Sequence, residues 1–243
     1  GVQSSGIYYN DGKLYVTNGS LSNKIVSIYD AKTLVNIGVI PHLGNTIVTT
    51  NLVFHDVHVY LGIQTNASSD SRLRKYNKIT GTLVATSIYN PFVDVATYKS
   101  FGTITIDNVY VYGCVGNNNT VVKFDKIDLS VVSTTTVPPN TPIKLNGGFK
   151  DNTKYLFYLV NGLNLIYIID KTTLQSYPVV ISKIASKLMV FGDTLITVSS
   201  AANATNVYAD KYKIIETDGV PNLQTVTSTQ LGTNTDAFNG FTY

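Results

Sequence analysis

His55-Asp56-Val57-His58 places two imidazoles and a carboxylate within four residues, the donor types that bind zinc or another transition metal. In an extended strand, residues 55 and 58 point to opposite faces, so convergence requires a turn at Asp56. His42, just before this segment, would be the third nitrogen donor. An Asp recurs at the equivalent place in segments that lack His, so ordinary turn and rim residues account for the pattern and no metal is assigned. Cys114, the one cysteine, lies in the apolar run Val109-Tyr-Val-Tyr-Gly-Cys-Val115, far in sequence from any His that could act as its base. It is expected to be a small buried hydrophobe. Glycoside hydrolysis needs two carboxylates flanking the bond. Glu216 is the sole glutamate, and Asp70, Asp94, Asp128, Asp218 and Asp236 are scattered over expected loops. No nucleophile elbow, phosphate loop, dinucleotide fingerprint or calcium loop occurs in the sequence. The expectation is no catalytic residue, no cofactor and no enzyme activity.

Two further patterns concern recognition. Arg72 and Arg74 alternate in Ser71-Arg-Leu-Arg-Lys75 and so share one strand face. A solvated outer strand is the expectation, with an anion, glycan or partner contact as the alternative. Four Asn-x-Ser/Thr acceptors occur, at Asn18, Asn66, Asn118 and Asn203. All fall in or beside the polar loops of the repeat described next, which would line them along one rim as glycosylation sites. The bland alternative is that polar loops are simply rich in these residues.

The elements that must hold these residues are legible in the composition. The 243 residues include 17 Tyr and 9 Phe, with no Trp and one Glu. Tyr-, Val-, Ile- and Thr-rich chains suit pleated sheets, whereas scarce Ala and Glu disfavour long helices. A net charge of +3 is too mild for a nucleic-acid-binding stripe. No apolar run approaches the roughly 18 residues of a membrane helix. Gly1 rather than Met opens the sequence, which reads as a processed chain or a fragment.

An internal repeat organises the rest. Asp11, Asp56, Asp107, Asp151 and Asp193 each sit where two apolar strands meet, at intervals of 45, 51, 44 and 42 residues. A second marker follows about twenty residues later in each copy: Asp30, Asn77, Asp125, Asp170 and Asp210, the last four each followed by Lys. Asp and Asn bond their own backbone two residues on, and Asp-Gly is a strong hairpin signal. The first marker is therefore expected to turn strand one into strand two, and the second to turn strand three into strand four. Each copy reads as four antiparallel strands, with a polar loop between strands two and three. A four-stranded unit of this length that cannot cover both faces alone is the mark of a propeller blade. The fold class expected is all-β, a β-propeller of five four-stranded blades, with a β-sandwich as the alternative. One domain spans 1–243, with units near 6–50, 51–102, 103–146, 147–186 and 187–231 and a spare strand at 237–243.

The first unit carries familiar residues. Lys13-Leu-Tyr-Val-Thr-Asn18, Asn23-Lys-Ile-Val-Ser-Ile-Tyr-Asp30, Thr33 and Val35-Asn-Ile-Gly-Val-Ile40 resemble the YVTN-type β-propeller repeat. That family is common in surface-layer and secreted proteins of archaea and bacteria. The other units keep the pattern but lose the tetrad, and five units depart from the family's usual higher count. The resemblance implies an extracellular propeller and no catalytic residue, since the repeat motif is structural.

These readings converge on an extracellular structural or interaction protein: a glycosylated surface propeller of a cell envelope, an extracellular filament or a virion. Its partners would be other subunits of a surface assembly, and glycans besides, with no nucleic acid and no membrane span. The alternatives are a lectin-like carbohydrate-binding propeller and a secreted hydrolase or lactonase using the central channel.

Overall fold

The computed structural model describes residues 4–18, 24–41, 46–65, 71–88, 101–115, 119–138, 148–160, 162–199 and 206–233. They form five four-stranded antiparallel sheets, each with its strands in chain order, and among the described residues there is no helix. The first sheet is β1 (Ser4–Asn10), β2 (Lys13–Asn18), β3 (Lys24–Asp30) and β4 (Asn36–Pro41). The second is β5 (Thr46–His55), β6 (His58–Thr65), β7 (Ser71–Asn77) and β8 (Leu83–Thr86). The third is β9 (Phe101–Ile106), β10 (Tyr110–Val115), β11 (Thr120–Asp125) and β12 (Val131–Thr136). The fourth is β13 (Phe149–Asp151), β14 (Tyr155–Leu159), β15 (Leu165–Asp170) and β16 (Ser176–Val180). The fifth is β17 (Lys187–Phe191), β18 (Thr194–Ser199), β19 (Asn206–Thr217) and β20 (Val220–Thr233).

The sheets match the five expected repeats, with differences at their ends. β5 begins at Thr46, ahead of the expected start at 51, and its pairing with β6 carries two register irregularities over Thr46–Leu52. β9 begins at Phe101 and β20 runs to Thr233. The chain divides into two compact units, the first built on β1–β11 and most of β12, the second on β13–β20. Residues 237–243, read above as a spare strand, lie outside the described residues.

The markers act as turn chemistry predicts in most copies. Asp11 and Gly12 both take positive φ, 48° and 73°, the geometry a two-residue hairpin needs. Asp56 enters its turn at φ 51°. Asp107 Oδ1 accepts the N–H groups of Val109 and Tyr110, both at 2.8 Å, and Asp193 follows the positive-φ Gly192 in the β17–β18 turn. At the fourth copy the task moves one residue along. Asn152 Oδ1 accepts from Lys154 at 2.9 Å and Tyr155 at 2.7 Å, while Asp151 ends β13 and accepts Lys171 Nζ at 2.7 Å.

The second marker is more regular than its sequence suggests. Asp30, Asn77, Asp125 and Asp170 each turn Oδ1 back onto following N–H groups. Each backbone carbonyl also accepts the N–H four residues on, from Leu34, Gly81, Leu129 and Leu174, at 2.8–3.0 Å. Those four residues all adopt left-handed backbone, with φ of 59°, 71°, 64° and 58°. One turn is thus repeated four times, and a Leu or Gly sits at its strained position.

The fifth copy departs from expectation. Asp210 is not a turn residue; it lies inside the 12-residue β19. The run Tyr212-Lys-Ile-Ile215 continues the strand, and no Gly or Pro intervenes between Asp210 and Asp218. The chain turns instead at Asp218 and Gly219, with φ of 51° and 77°. Arg72 and Arg74 also differ from expectation. β7 is an interior strand, flanked by β6 and β8, and Arg74 is only 8% exposed.

Within each unit, apolar side chains of consecutive sheets fill the space between them. In the first unit, Tyr15, Val26, Ile28 and Ile40 pack with Leu52, Val59, Leu61, Ile63 and Tyr76. A second layer joins Tyr60 and Leu73 to Phe101, Ile104, Val111, Val122, Phe124 and Leu129. Gly113 is small for a reason: a Cβ there would lie 2.7 Å from the Phe101 ring. In the second unit, Phe157, Leu159, Ile166 and Ile168 pack with Leu188, Leu195, Tyr212 and Ile214. These are the faces that a single four-stranded sheet could not cover alone.

Candidate functional site

The two-residue turn at Asp56 makes His55 and His58 direct cross-strand partners, so both imidazoles rise on one side of the sheet. The turn therefore does produce the convergence that strand alternation forbids. What surrounds them is cationic. His55 Nδ1 lies 2.8 Å from Asp56 Oδ2, but its Nε2 lies 3.2 Å from Lys126 Nζ. Lys126 also donates to the Asn108 carbonyl. Lys75, 7% exposed, donates to the carbonyls of Lys126 and Ile127, each at 3.1 Å. Burial, and then the Lys126 charge, hold the Lys75 ammonium below its ordinary range. Burial, and then the Lys75 charge, likewise depress the His58 imidazole. The Tyr60 hydroxyl, which also reaches the Lys126 carbonyl at 3.4 Å, is pushed up to about 12 by burial. Among the described residues no group of three or more His, Cys, Asp or Glu gathers as metal ligands. His42 lies outside the described residues. The cluster's geometry is that of a brace: β5, β6 and β7 hold the 125–130 turn of the next sheet.

The second unit holds a polar network that the sequence reading missed. Asp210, 1% exposed, receives Lys183 Nζ at 2.9 and 3.2 Å and Ser182 Oγ at 3.1 Å. Ser182 Oγ also lies 3.0 Å from the Tyr212 hydroxyl, and Lys183 donates to Ser228 Oγ at 2.9 Å. Lys183 lies 4.5 Å from the centre of the Tyr208 ring. Burial alone would raise the Asp210 carboxyl, but hydrogen bonds from Ser228, Lys183 and Ser182 outweigh it and hold the group below its ordinary value. The Asp210-Lys211 dipeptide looked like the other second markers and concealed this role. The signal that separates them is Asp218-Gly219, a hairpin dipeptide eight residues further on.

Glu216 also acquires partners. Its Oε2 accepts Lys154 Nζ at 2.5 Å and the Tyr155 hydroxyl at 2.7 Å. Burial, and then the Glu216 carboxylate, raise the Tyr155 phenol, which suits a hydrogen-bond donor rather than a base. Cys114 is fully buried in β10, as expected. Asp128 accepts the Ser130 N–H at 2.8 Å. Of the four acceptor sites, Asn18 ends β2; Asn66, Asn118 and Asn203 lie outside the described residues, as do Asp70, Asp94 and Asp236.

A different feature dominates the second unit. β20 is 14 residues long and ends its sheet, whereas the corresponding last strands β4, β8, β12 and β16 have 6, 4, 6 and 5 residues. Every residue from Gln224 to Gly232 is exposed, including Val226 at 50% and Leu231 at 57%. No charged residue occurs in Val220–Thr233.

No protein-family model matches the chain, and no curated protein matches it in sequence. Solved structures do resemble it. BamB from Moraxella catarrhalis is 16% identical, with a TM-score of 0.55 over 93% of this chain and 76% of that one. A chain of the Mitotic Checkpoint Complex is 12% identical, with a TM-score of 0.68 over 93% of this chain and 67% of that one. Kluyveromyces lactis Hsv2 is 12% identical, with a TM-score of 0.62 over 94% of this chain and 74% of that one. At such identities the likeness carries fold and nothing further. Five four-stranded antiparallel sheets in chain order, matched across nearly the whole sequence by blade-built structures, make the fold class β-propeller.

Proposed function

We propose that this protein is a structural or interaction protein of an exterior surface, contacting neighbouring subunits through its loops and strand edges. The observation that carries the reading is the exposed, uncharged edge of β20, a ready template for strand addition. The polar clusters support it from the other side. The lysines, histidines and carboxylates described above already serve as braces between turns and strands. The YVTN-like residues of the first unit and the four acceptor sites support an exterior location, within a cell envelope, an extracellular filament or a virion.

The test is the protein from its natural source, mildly cross-linked, captured and analysed by mass spectrometry with peptide mapping. The expected result is a protein assembly, with sugar on some of Asn18, Asn66, Asn118 and Asn203. A discrete, sugar-free monomer of 26.5 kDa would overturn the reading and return the lectin-like and hydrolase alternatives to the front.

A further inference from the structure

Sheet edges attract strands because their outward N–H and C=O groups lack partners, and proteins guard them with short strands, Lys, Pro or bulges. The last strands of the other four sheets have at most six residues, and β16 carries Pro178. β20 keeps its one proline at Pro221, near its start, and has no charge over its length. Its defence is limited to register irregularities opposite Val207/Tyr208 and Lys211/Tyr212. Such irregularities increase local twist, so a partner strand must share that curl.

The residue order says which strand does so. Leu223-Gln-Thr-Val-Thr-Ser-Thr-Gln-Leu231 reads almost the same in both directions about Thr227. Laid antiparallel on its own copy about a two-fold axis at Thr227, it opposes Leu223 to Leu231, Gln224 to Gln230 and Thr225 to Thr229. The one unlike pair is Val226 with Ser228. Thr–Thr and apolar pairs are favourable across strands, and no like charges meet. A foreign strand gains nothing from such symmetry, whereas an isologous contact consists of it. A second copy also carries the same two irregularities and hence the same curl.

We infer that the partner of β20 is β20 of a second copy of this chain, paired antiparallel about Thr227 to make one continuous eight-stranded sheet. This rests on the reading of the chain as an interaction protein and names its first neighbour. Ser228 Oγ, which accepts Lys183 Nζ, ties the middle of the pairing strand to the Asp210 network, so the edge is held in place before it pairs.

The test uses the purified full chain and two double variants that alter the same positions. Light scattering of the wild type gives twice 26.5 kDa at micromolar concentration. T225K/T229K puts two Lys–Lys pairs across the two-fold axis and weakens association about 10–100-fold. T225K/T229E puts Lys opposite Glu at both places and restores the dimer. Circular dichroism of all three shows the same β signature, so loss of pairing is not loss of fold. A wild type that stays monomeric, or double variants that associate equally, would overturn the inference. If the purified chain is monomeric while the natural-source protein is recovered in an assembly, β20 self-pairing fails and the interaction reading stands. If both experiments return a monomer, both fail.

Discussion

Asp210 shows how one side chain can be consumed by structure. Its carboxylate is almost wholly buried and is held by Lys183, Ser182 and Ser228. Asp210→Asn keeps the shape but removes the charge that Lys183 faces, and leaves polar hydrogens without an ionised acceptor. The expected cost is about 1–3 kcal/mol, read as a lower urea midpoint at unchanged slope. His58 makes a separate prediction. Burial, Lys75, His55 and Lys126 lower its imidazole below the usual 6.5, against the raising influence of Asp56. The folded chain then binds a proton there less readily than the unfolded chain. Stability therefore rises with pH in the window just below 6.5 and is lost as pH falls from 6.5 through the lowered value. His58→Phe should flatten that part of the stability–pH curve, measured by urea titration at several pH values. An unchanged slope would mean that His58 does not take up its proton differently in the folded and unfolded chains.

At the scale of elements, the four-fold turn is the repeating device. Its left-handed position holds Leu at 34, 129 and 174 but Gly at 81. A left-handed conformation costs an ordinary residue about 1–2 kcal/mol. At Leu34 the side chain is exposed, so Leu34→Gly relieves that cost while adding chain entropy to the unfolded state. The two effects nearly cancel, within about 1 kcal/mol. Gly81 differs, because a Cβ there would meet the Val39 carbonyl oxygen at 2.8 Å. Gly81→Ala is expected to destabilise by about 1–3 kcal/mol. Thermal melts of the two variants side by side would decide; equal effects would mean that backbone strain, not the contact with Val39, governs the position. The turn was legible in the sequence only through its Asp or Asn. The residue four places later carries the strain, yet Leu is not a residue type that announces left-handed backbone.

For the whole molecule, the composition speaks to the fold, and neither it nor a net charge of +3 speaks to a partner. The repeat period, the two markers and the strand-sized apolar runs determined five four-stranded sheets, because turn chemistry and two-residue alternation are local properties that one sequence displays openly. The Asp218-Gly219 hairpin was equally local and legible. It was hidden only because Asp210-Lys211 imitates a marker. The tertiary structure alone decided that Asp210 is a buried ion-pair partner and that Arg74 lies on an interior strand. It alone showed that the two histidines converge with Lys75 and Lys126 around them and only Asp56 as an acidic neighbour. Each of these depends on which segments lie together across the sheets, and a side chain's charge environment is set by neighbours distant in sequence. The exposed edge of β20 belongs to both levels. Its near-palindromic order stands in the sequence, but only the sheet order leaves that strand outermost.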